Sequence, residues 1–286
     1  MNTVCTPLAA VPPIAPAERV LTDGFDASAA TVAAAVDSHG LACLRDVVPH
    51  DWLTAARDFV THSVELNGAQ ELLVEDFAAR PGTFAHQLVS DERVEPFMRQ
   101  VATACRAGVG FGDGAIESEL RLVNGPPRSA KPLWFHYDST AITLVIPILI
   151  PTSTPGRSGE LVLYPNRRPF RRRVVTNILE KCLSQNDFYR RWFVRYPGRR
   201  SDVRTEALEP GNAYVFSGYR SYHATLPSPP GSLRATLILH FGDVHDNSRL
   251  LNSIRGVERT IRRSIRTRRS SPTVAVQSSK CAWLAD

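Results

Sequence analysis

Residues 209–243 read EPGNAYVFSGYRSYHATLPSPPGSLRATLILHFGD. Three apolar runs, Asn212–Ser217, Tyr222–Leu226 and Leu233–Phe241, are set off by Pro210-Gly211 and by Pro227-Ser228-Pro229-Pro230-Gly231. Short runs rich in β-branched and aromatic residues between Pro/Gly clusters read as strands joined by turns. The same grammar extends upstream, predicting strands over Glu117–Asn124, Leu133–Asp138, Ala141–Ile150, Gly159–Tyr164 and Thr205–Leu208. Gly125-Pro126-Pro127 and Pro155-Gly156 punctuate them. Eight short strands in one block predict a barrel or double-sheet jelly roll, a mainly β fold.

Helices flank this block. Ser28–Ser38 is alanine-rich and stops at Gly40, a residue suited to a helix C-cap. Leu41–Val48 reads as a strand. Asp51 can cap a helix that places Trp52, Leu53, Ala56, Phe59 and Val60 on one side. Glu92–Arg106 repeats apolar residues at helical spacing, and Gly108–Gly114 ends it. A helical insert, about residues 168–200, interrupts the strands. A last amphipathic helix, about residues 247–269, carries Leu250, Ile254, Val257, Ile261 and Ile265 on one stripe. Residues 1–20 are a Pro-rich leader. The expectation is one domain over residues 21–286, with its core barrel at about 115–245.

The 286 residues are 43% apolar and 22% charged, which excludes a mostly disordered chain. A fold of this size buries roughly 75% of its unfolded surface and needs no staple. The longest apolar run, Ala141–Pro151, is too short to span a bilayer. Five cysteines at wide spacing, with no CxxC pair, argue against a disulfide framework and a zinc cluster. A cytoplasmic location follows as the expectation. The formal net charge is +6, split between −8 for residues 1–100 and +14 for the remainder. A basic C-terminal part favours acidic partners without naming one.

Chemistry concentrates in Trp134-Phe135-His136-Tyr137-Asp138. In a strand, residues i and i+2 share a face, so His136 and Asp138 can aim at one point. His223 follows on a later strand, and Arg234 comes eleven residues after it across a Pro/Gly-rich turn. If those two strands are antiparallel neighbours, His223 and Arg234 lie side by side across a ladder. Thr225 shares the face of His223. Two histidines and one carboxylate leave three positions of an octahedral ion open, the pattern of non-haem Fe(II) oxygenases. A guanidinium such as Arg234 suits the far carboxylate of a dicarboxylic cosubstrate, because it stays charged and binds in a fork. Thr225 supplies a hydroxyl donor. Asn124 is either an amide donor to the near carboxylate or, beside Gly125, a turn former.

HYDSTAITLVIPI at 136–148, GELVLYP at 159–165 and the stretch quoted first resemble iron(II)- and 2-oxoglutarate-dependent dioxygenases of the phytanoyl-CoA hydroxylase type. DSHGLACLRD at 37–46 is similar to that family's opening strand. The resemblance covers about residues 115–245. It implies a double-stranded β-helix, cupin-like, with Fe(II) on His136, Asp138 and His223 as the catalytic centre. It also implies 2-oxoglutarate held by Arg234, with Thr225 at the family's Ser/Thr position. Thr236, which forms an Arg-x-Thr pair with Arg234, is a second candidate hydroxyl. The implied reaction consumes O2 and 2-oxoglutarate, releases succinate and CO2, and hydroxylates an unactivated C–H bond of a small molecule such as an amino acid or specialised metabolite. Related halogenases lack the carboxylate, so Asp138 favours hydroxylation, with desaturation and cyclisation left open.

Two rivals stand beside this reading. One is a protein or nucleic-acid hydroxylase of the same superfamily, suggested by the basic C-terminal part. Nucleic-acid demethylases of the superfamily carry a second Arg six residues after the first. His240 stands there instead, which argues against nucleic acid. The other rival is a catalytically silent, cupin-like binding protein. By alternation Arg234, Thr236, Ile238 and His240 share one strand face, so His240 either lines the cavity or is a hydrogen-bonded core histidine. His39, His50, His62 and His86 have no partners at ligand spacing and read as surface or structural. The arginines from Arg167 to Arg200 suit a lid over an acidic substrate or a solvated helix face.

Overall fold

Alternation along the strands sets the architecture. The computed structural model describes residues 20–67, 71–105, 114–124, 135–170, 203–229 and 231–244. Its helices are α1 (Ala29–His39), α2 (His50–Asn67), α3 (Phe84–Val89) and α4 (Val94–Cys105). Its strands are β1 (Leu41–Leu44), β2 (Leu72–Glu75), β3 (Glu117–Asn124), β4 (Thr140–Leu149), β5 (Leu161–Tyr164), β6 (Arg204–Glu206), β7 (Ala213–Phe216), β8 (Tyr222–Thr225) and β9 (Leu233–Asp243). The strands form a six-stranded sheet in the order β1-β7-β4-β9-β3-β2 and a three-stranded sheet in the order β6-β5-β8. All named pairings are antiparallel. This is a double-stranded β-helix with flanking helices.

The inner strands β4 and β7 of the large sheet are buried almost throughout, and the two faces of the sheet differ in chemistry. Ile142, Leu144, Ile146 and Ile148 of β4 join Ala235, Leu237, Leu239 and Phe241 of β9 and Leu120 and Leu122 of β3 in one apolar core. Val32, Val36, Trp52, Phe59, Phe97, Met98 and Val101 from α1, α2 and α4 complete it. The residues between them, such as Thr143, Arg234, Thr236 and His240, therefore face the other way. A period of two sorts core from cavity. Pro147 is tolerated inside the central strand β4 because the register against β9 shifts between Pro147 and Leu149. The ladder is irregular there, the kind of place where a strand tolerates a residue without an N–H.

Helix ends follow their local signals. Gly40 takes the left-handed conformation (φ 81°) and donates its N–H to the Val36 carbonyl at 2.9 Å, closing α1 as expected. Asp51 lies inside the first turn of α2 rather than at its cap. The strand expected over Leu41–Val48 ends at Leu44. There the chain turns through Asp46, with positive φ, whose N–H donates to Asn212 Oδ1 at 2.9 Å.

Three further expectations are corrected or extended. The strand expected over Leu133–Asp138 is, among described residues, a single bridge at His136, because Asp138 turns to donate its N–H to the Gly218 carbonyl at 3.0 Å. The strands bearing His223 and Arg234 are not ladder neighbours: β8 pairs with β5 in the small sheet, and β9 pairs with β3 and β4 in the large one. The Pro/Gly-rich link after β8 carries the chain from one sheet to the other instead of closing a hairpin. Finally, β2 and α3 were not anticipated. The leader up to residue 19, the helical insert from residue 171 to 200, and the C-terminal helix lie outside the described residues. Among those described, no helix is long and apolar enough to cross a membrane.

Candidate metal centre and cavity

His136 and His223 face each other on one antiparallel rung. Each donates its backbone N–H to the other's carbonyl at 3.0 Å. Residues paired this way project side chains to the same side, and the two imidazole centroids lie 4.3 Å apart. Asp138, two residues on, reaches back between them. Its Oδ1 lies 3.5 Å from His136 Nε2 and 3.5 Å from His223 Nε2. One ligand atom from each of the three falls within 4.8 Å of the others.

The charge states of His223 and Asp138 suit a divalent cation. His223 Nδ1 lies 3.0 Å from the Ser221 carbonyl. A carbonyl only accepts, so Nδ1 carries the proton and Nε2 presents its lone pair. Burial pushes the His223 imidazole down to about 4 against the opposing pull of Asp138, so the ring is neutral near pH 7. Burial alone would raise the Asp138 carboxyl, but His223, His136 and His240 hold it well below the usual carboxylate range. The Phe216 and His223 rings meet in a T-shaped arrangement with their centroids 4.9 Å apart. Two imidazole nitrogens and one carboxylate oxygen on one side of an ion fit a six-coordinate metal with open positions.

The other carboxylate oxygen is held too. Thr143 Oγ1 donates to Asp138 Oδ2 at 2.6 Å. Gly218 makes room for this pair, since a β-carbon there would overlap both the carboxylate and the Thr143 hydroxyl. Arg168, expected as part of a basic insert, is buried. Its guanidinium lies 4.3 Å from the Tyr137 ring centroid and 4.0 Å from that of Tyr219, and it donates to the Tyr219 and Asp138 carbonyls. It ties the backbone of the Asp138 turn to the Gly218 turn. The motifs read in the sequence missed all three. Thr143 alone left a trace there, as the one polar side chain within Ala141–Leu149.

Between the two sheets lies a cavity of about 320 Å³ that His136, Asp138 and His223 share with Thr225, Arg234, Thr236 and His240. Arg234 is 4% exposed, and its Nε has no hydrogen-bond partner. The Thr236 hydroxyl, fully buried, also has none. A buried donor without an acceptor is costly. Burial pushes the Arg234 guanidinium down to about 9, with Arg121 adding to the fall and Glu160 opposing it. Gly159, at φ 74°, lets the arginine stem pass, because a β-carbon there would overlap its Cδ and Nε. Two orphaned donors on one wall beside the metal trio fit a ligand rich in acceptor oxygens, such as a carboxylate.

The remaining candidates divide. His240 lines the cavity and is also hydrogen-bonded: its Nδ1 lies 3.2 Å from Thr143 Oγ1 and 3.3 Å from Thr140 Oγ1. Asn124 ends β3 opposite Leu233, and its side chain lies outside the described part of the molecule. His86 is structural, with Nδ1 2.9 Å from the Ala78 carbonyl, and His62 sits 3.6 Å from Glu65 on α2.

No family model and no curated protein sequence matches the chain. A prolyl 4-hydroxylase structure from Phytophthora capsici superposes with a TM-score of 0.51 at 15% identity, over 81% of this chain and 70% of that one. The likeness is one of fold. Two more superpose less closely, each with a TM-score of 0.47. A Pseudomonas putida prolyl-4-hydroxylase is 13% identical over 75% of this chain and 98% of its own. The non-heme alpha ketoglutarate dependent carbocyclase SnoK from nogalamycin biosynthesis is 15% identical over 78% and 87%.

Proposed function

We propose that the protein is an Fe(II)- and 2-oxoglutarate-dependent oxygenase that hydroxylates a small molecule. One observation carries the reading. Two imidazole nitrogens and a carboxylate oxygen converge on a point in a cavity whose wall also holds a buried guanidinium nitrogen and a hydroxyl without partners. The shared fold with a prolyl 4-hydroxylase supports it.

In this reading His136, Asp138 and His223 are the metal ligands, and Fe(II) with O2 supplies the oxidising power when bound. The Arg234 guanidinium takes the far carboxylate of 2-oxoglutarate, with Thr236 and Thr225 as the nearby hydroxyls and Asn124 as a further amide candidate. The protein contributes position and dryness: buried walls exclude water, and the donors are oriented before the ligand arrives. Ser221 keeps His223 in the ligating tautomer. The cavity is large enough for a small ligand. Its described wall also carries Glu119 and Arg121 of β3, so a substrate with polar or charged groups suits that side. The arginines behind the expectation of an acidic substrate fall mostly outside the described residues. Among the described cysteines Cys43 and Cys105 are free, in keeping with the cytoplasmic setting we propose.

The test is succinate formation from 2-oxoglutarate under air with added Fe(II), comparing wild type with His136→Ala and Asp138→Ala. The expected result is turnover in wild type alone. Equal turnover in all three proteins would end the reading. An anaerobic titration separates a silent binding protein from an oxygenase. A weak visible charge-transfer band, present only with Fe(II) and 2-oxoglutarate together, is expected of the oxygenase.

A further inference from the structure

We propose that Thr143 is a positioning residue that restricts Asp138 to a one-oxygen metal ligand. The inference rests on the metal-centre reading above and concerns how that centre keeps its open positions. A carboxylate can bind an ion through one oxygen or both. Here only Oδ1 faces the two histidine Nε2 atoms, at 3.5 Å from each. Oδ2 is already engaged by the Thr143 hydroxyl at 2.6 Å, the short separation of a hydroxyl donating to a charged oxygen.

The direction of that hydrogen bond is set by what surrounds it. A hydroxyl has one proton. With Asp138 ionised, Oδ2 can only accept, so Thr143 spends its proton there. Its lone pairs then face His240 Nδ1 at 3.2 Å, and that nitrogen must be the donor. Thr140 Oγ1, at 3.3 Å, flanks the same nitrogen. The chain of donation runs His240 to Thr143 to Asp138. The sheet makes it rigid: in β4, Thr143 stands directly opposite His240 of β9 on one side and Phe216 of β7 on the other. Thr143 is 2% exposed, so no water competes freely for its hydroxyl. Gly218 completes the device, because any side chain there would displace the carboxylate.

Fixing Oδ2 has two consequences. It removes the rotational freedom that Asp138 would otherwise lose on metal binding, which raises affinity. It also denies Oδ2 to the ion, so a coordination position stays free for the cosubstrate or O2. Partners of this kind commonly change metal affinity by roughly 10–100-fold.

The probe is Co(II), titrated into full-length metal-free protein and followed by its d–d absorption. Thr143→Val keeps the volume and the strand preference but removes the hydroxyl. Thr143→Ser keeps the hydroxyl. The expected outcome is a Kd for Co(II) about 10–100-fold weaker in Thr143→Val, an altered d–d band, and near wild-type values in Thr143→Ser. If Thr143→Val binds Co(II) within twofold of wild type with an unchanged band, the inference is overturned and the metal centre stands. If wild type itself binds no Co(II), the metal centre falls and the inference with it. Should the valine variant fail to fold, Thr143→Ala against Thr143→Ser gives the same ordering, since alanine removes the hydroxyl without adding a metal ligand. Equal affinity in those two would overturn the inference.

Discussion

His136 and His223 share one rung of antiparallel backbone, exchanging both hydrogen bonds at 3.0 Å, although 86 positions separate them in the chain. The rung sets the spacing of two candidate ligands by backbone geometry alone, and Asp138 enters between them from the following turn. The site therefore inherits the stiffness of the small sheet.

The two histidines differ in exposure, and this separates binding from folding. The His136 side chain is 32% exposed and that of His223 is 8% exposed. Alanine at either position should lower bound Fe(II) or Co(II) below detection at stoichiometric metal. Only His223→Ala should also lower the metal-free protein's stability appreciably, by roughly 1–3 kcal/mol, through the void it leaves. Metal analysis paired with urea denaturation of the metal-free variants checks both parts.

The metal-free protein should weaken in mild acid. His223 falls from an ordinary 6.5 to about 4, chiefly through burial. Between those values the unfolded chain takes up a proton that the folded chain refuses. The contribution is full above about pH 6.5 and disappears as the pH drops through about 4, a shift worth roughly 3 kcal/mol. Asp138, held low, loses its contribution in the same direction at lower pH. The urea midpoint of metal-free wild type should be lower at pH 5 than at pH 7.5. His223→Gln should show a shallower change over that window, and an identical slope would contradict the assignment.

Arg234 should be dispensable for folding and necessary for the cosubstrate. Its Nε lacks a partner inside the protein, so an apolar residue of similar length removes a buried charge at little cost. Arg234→Met should keep or raise the melting temperature of the protein without ligand, while 2-oxoglutarate binding weakens by at least about 100-fold, the loss of a buried charge-assisted pair. Arg234→Lys should recover only part of that affinity, because an ammonium cannot reproduce the fork. A large fall in melting temperature in Arg234→Met would indicate a structural role instead.

Gly159 and Gly156 make a matched pair. Both have positive φ, at 74° and 86°, but only Gly159 touches Arg234. Alanine at Gly156 should cost about 1 kcal/mol from backbone strain alone. Alanine at Gly159 should cost about 1–3 kcal/mol more through crowding and should raise the KM for 2-oxoglutarate by displacing the guanidinium. Thermal melts and cosubstrate saturation curves of the two variants, compared side by side, test this.

Much of this molecule is readable without coordinates, and the readable part has a common cause. The facing of a side chain within one strand is a local property of extended backbone. That is why Arg234, Thr236, Ile238 and His240 could be put on one face from their spacing, and why Gly40 could be seen to end α1. The strand β3 falls on the residues expected, Glu117–Asn124, for the same reason. β2 escaped notice because Leu72–Glu75 is a four-residue run whose strand state depends on pairing with β3.

Residue order alone sets the alternation of each strand, the breaks between them, and the inventory of groups able to hold an ion and a diacid. Folding puts β8 and β9 in different sheets, so that His223 and Arg234 meet across a cavity rather than along a ladder. Only it brought Thr143 and Gly218 against Asp138. The physical reason is range: side-chain direction follows from covalent geometry over two residues, whereas sheet membership follows from hydrogen bonds and buried area between segments far apart, which no short stretch encodes.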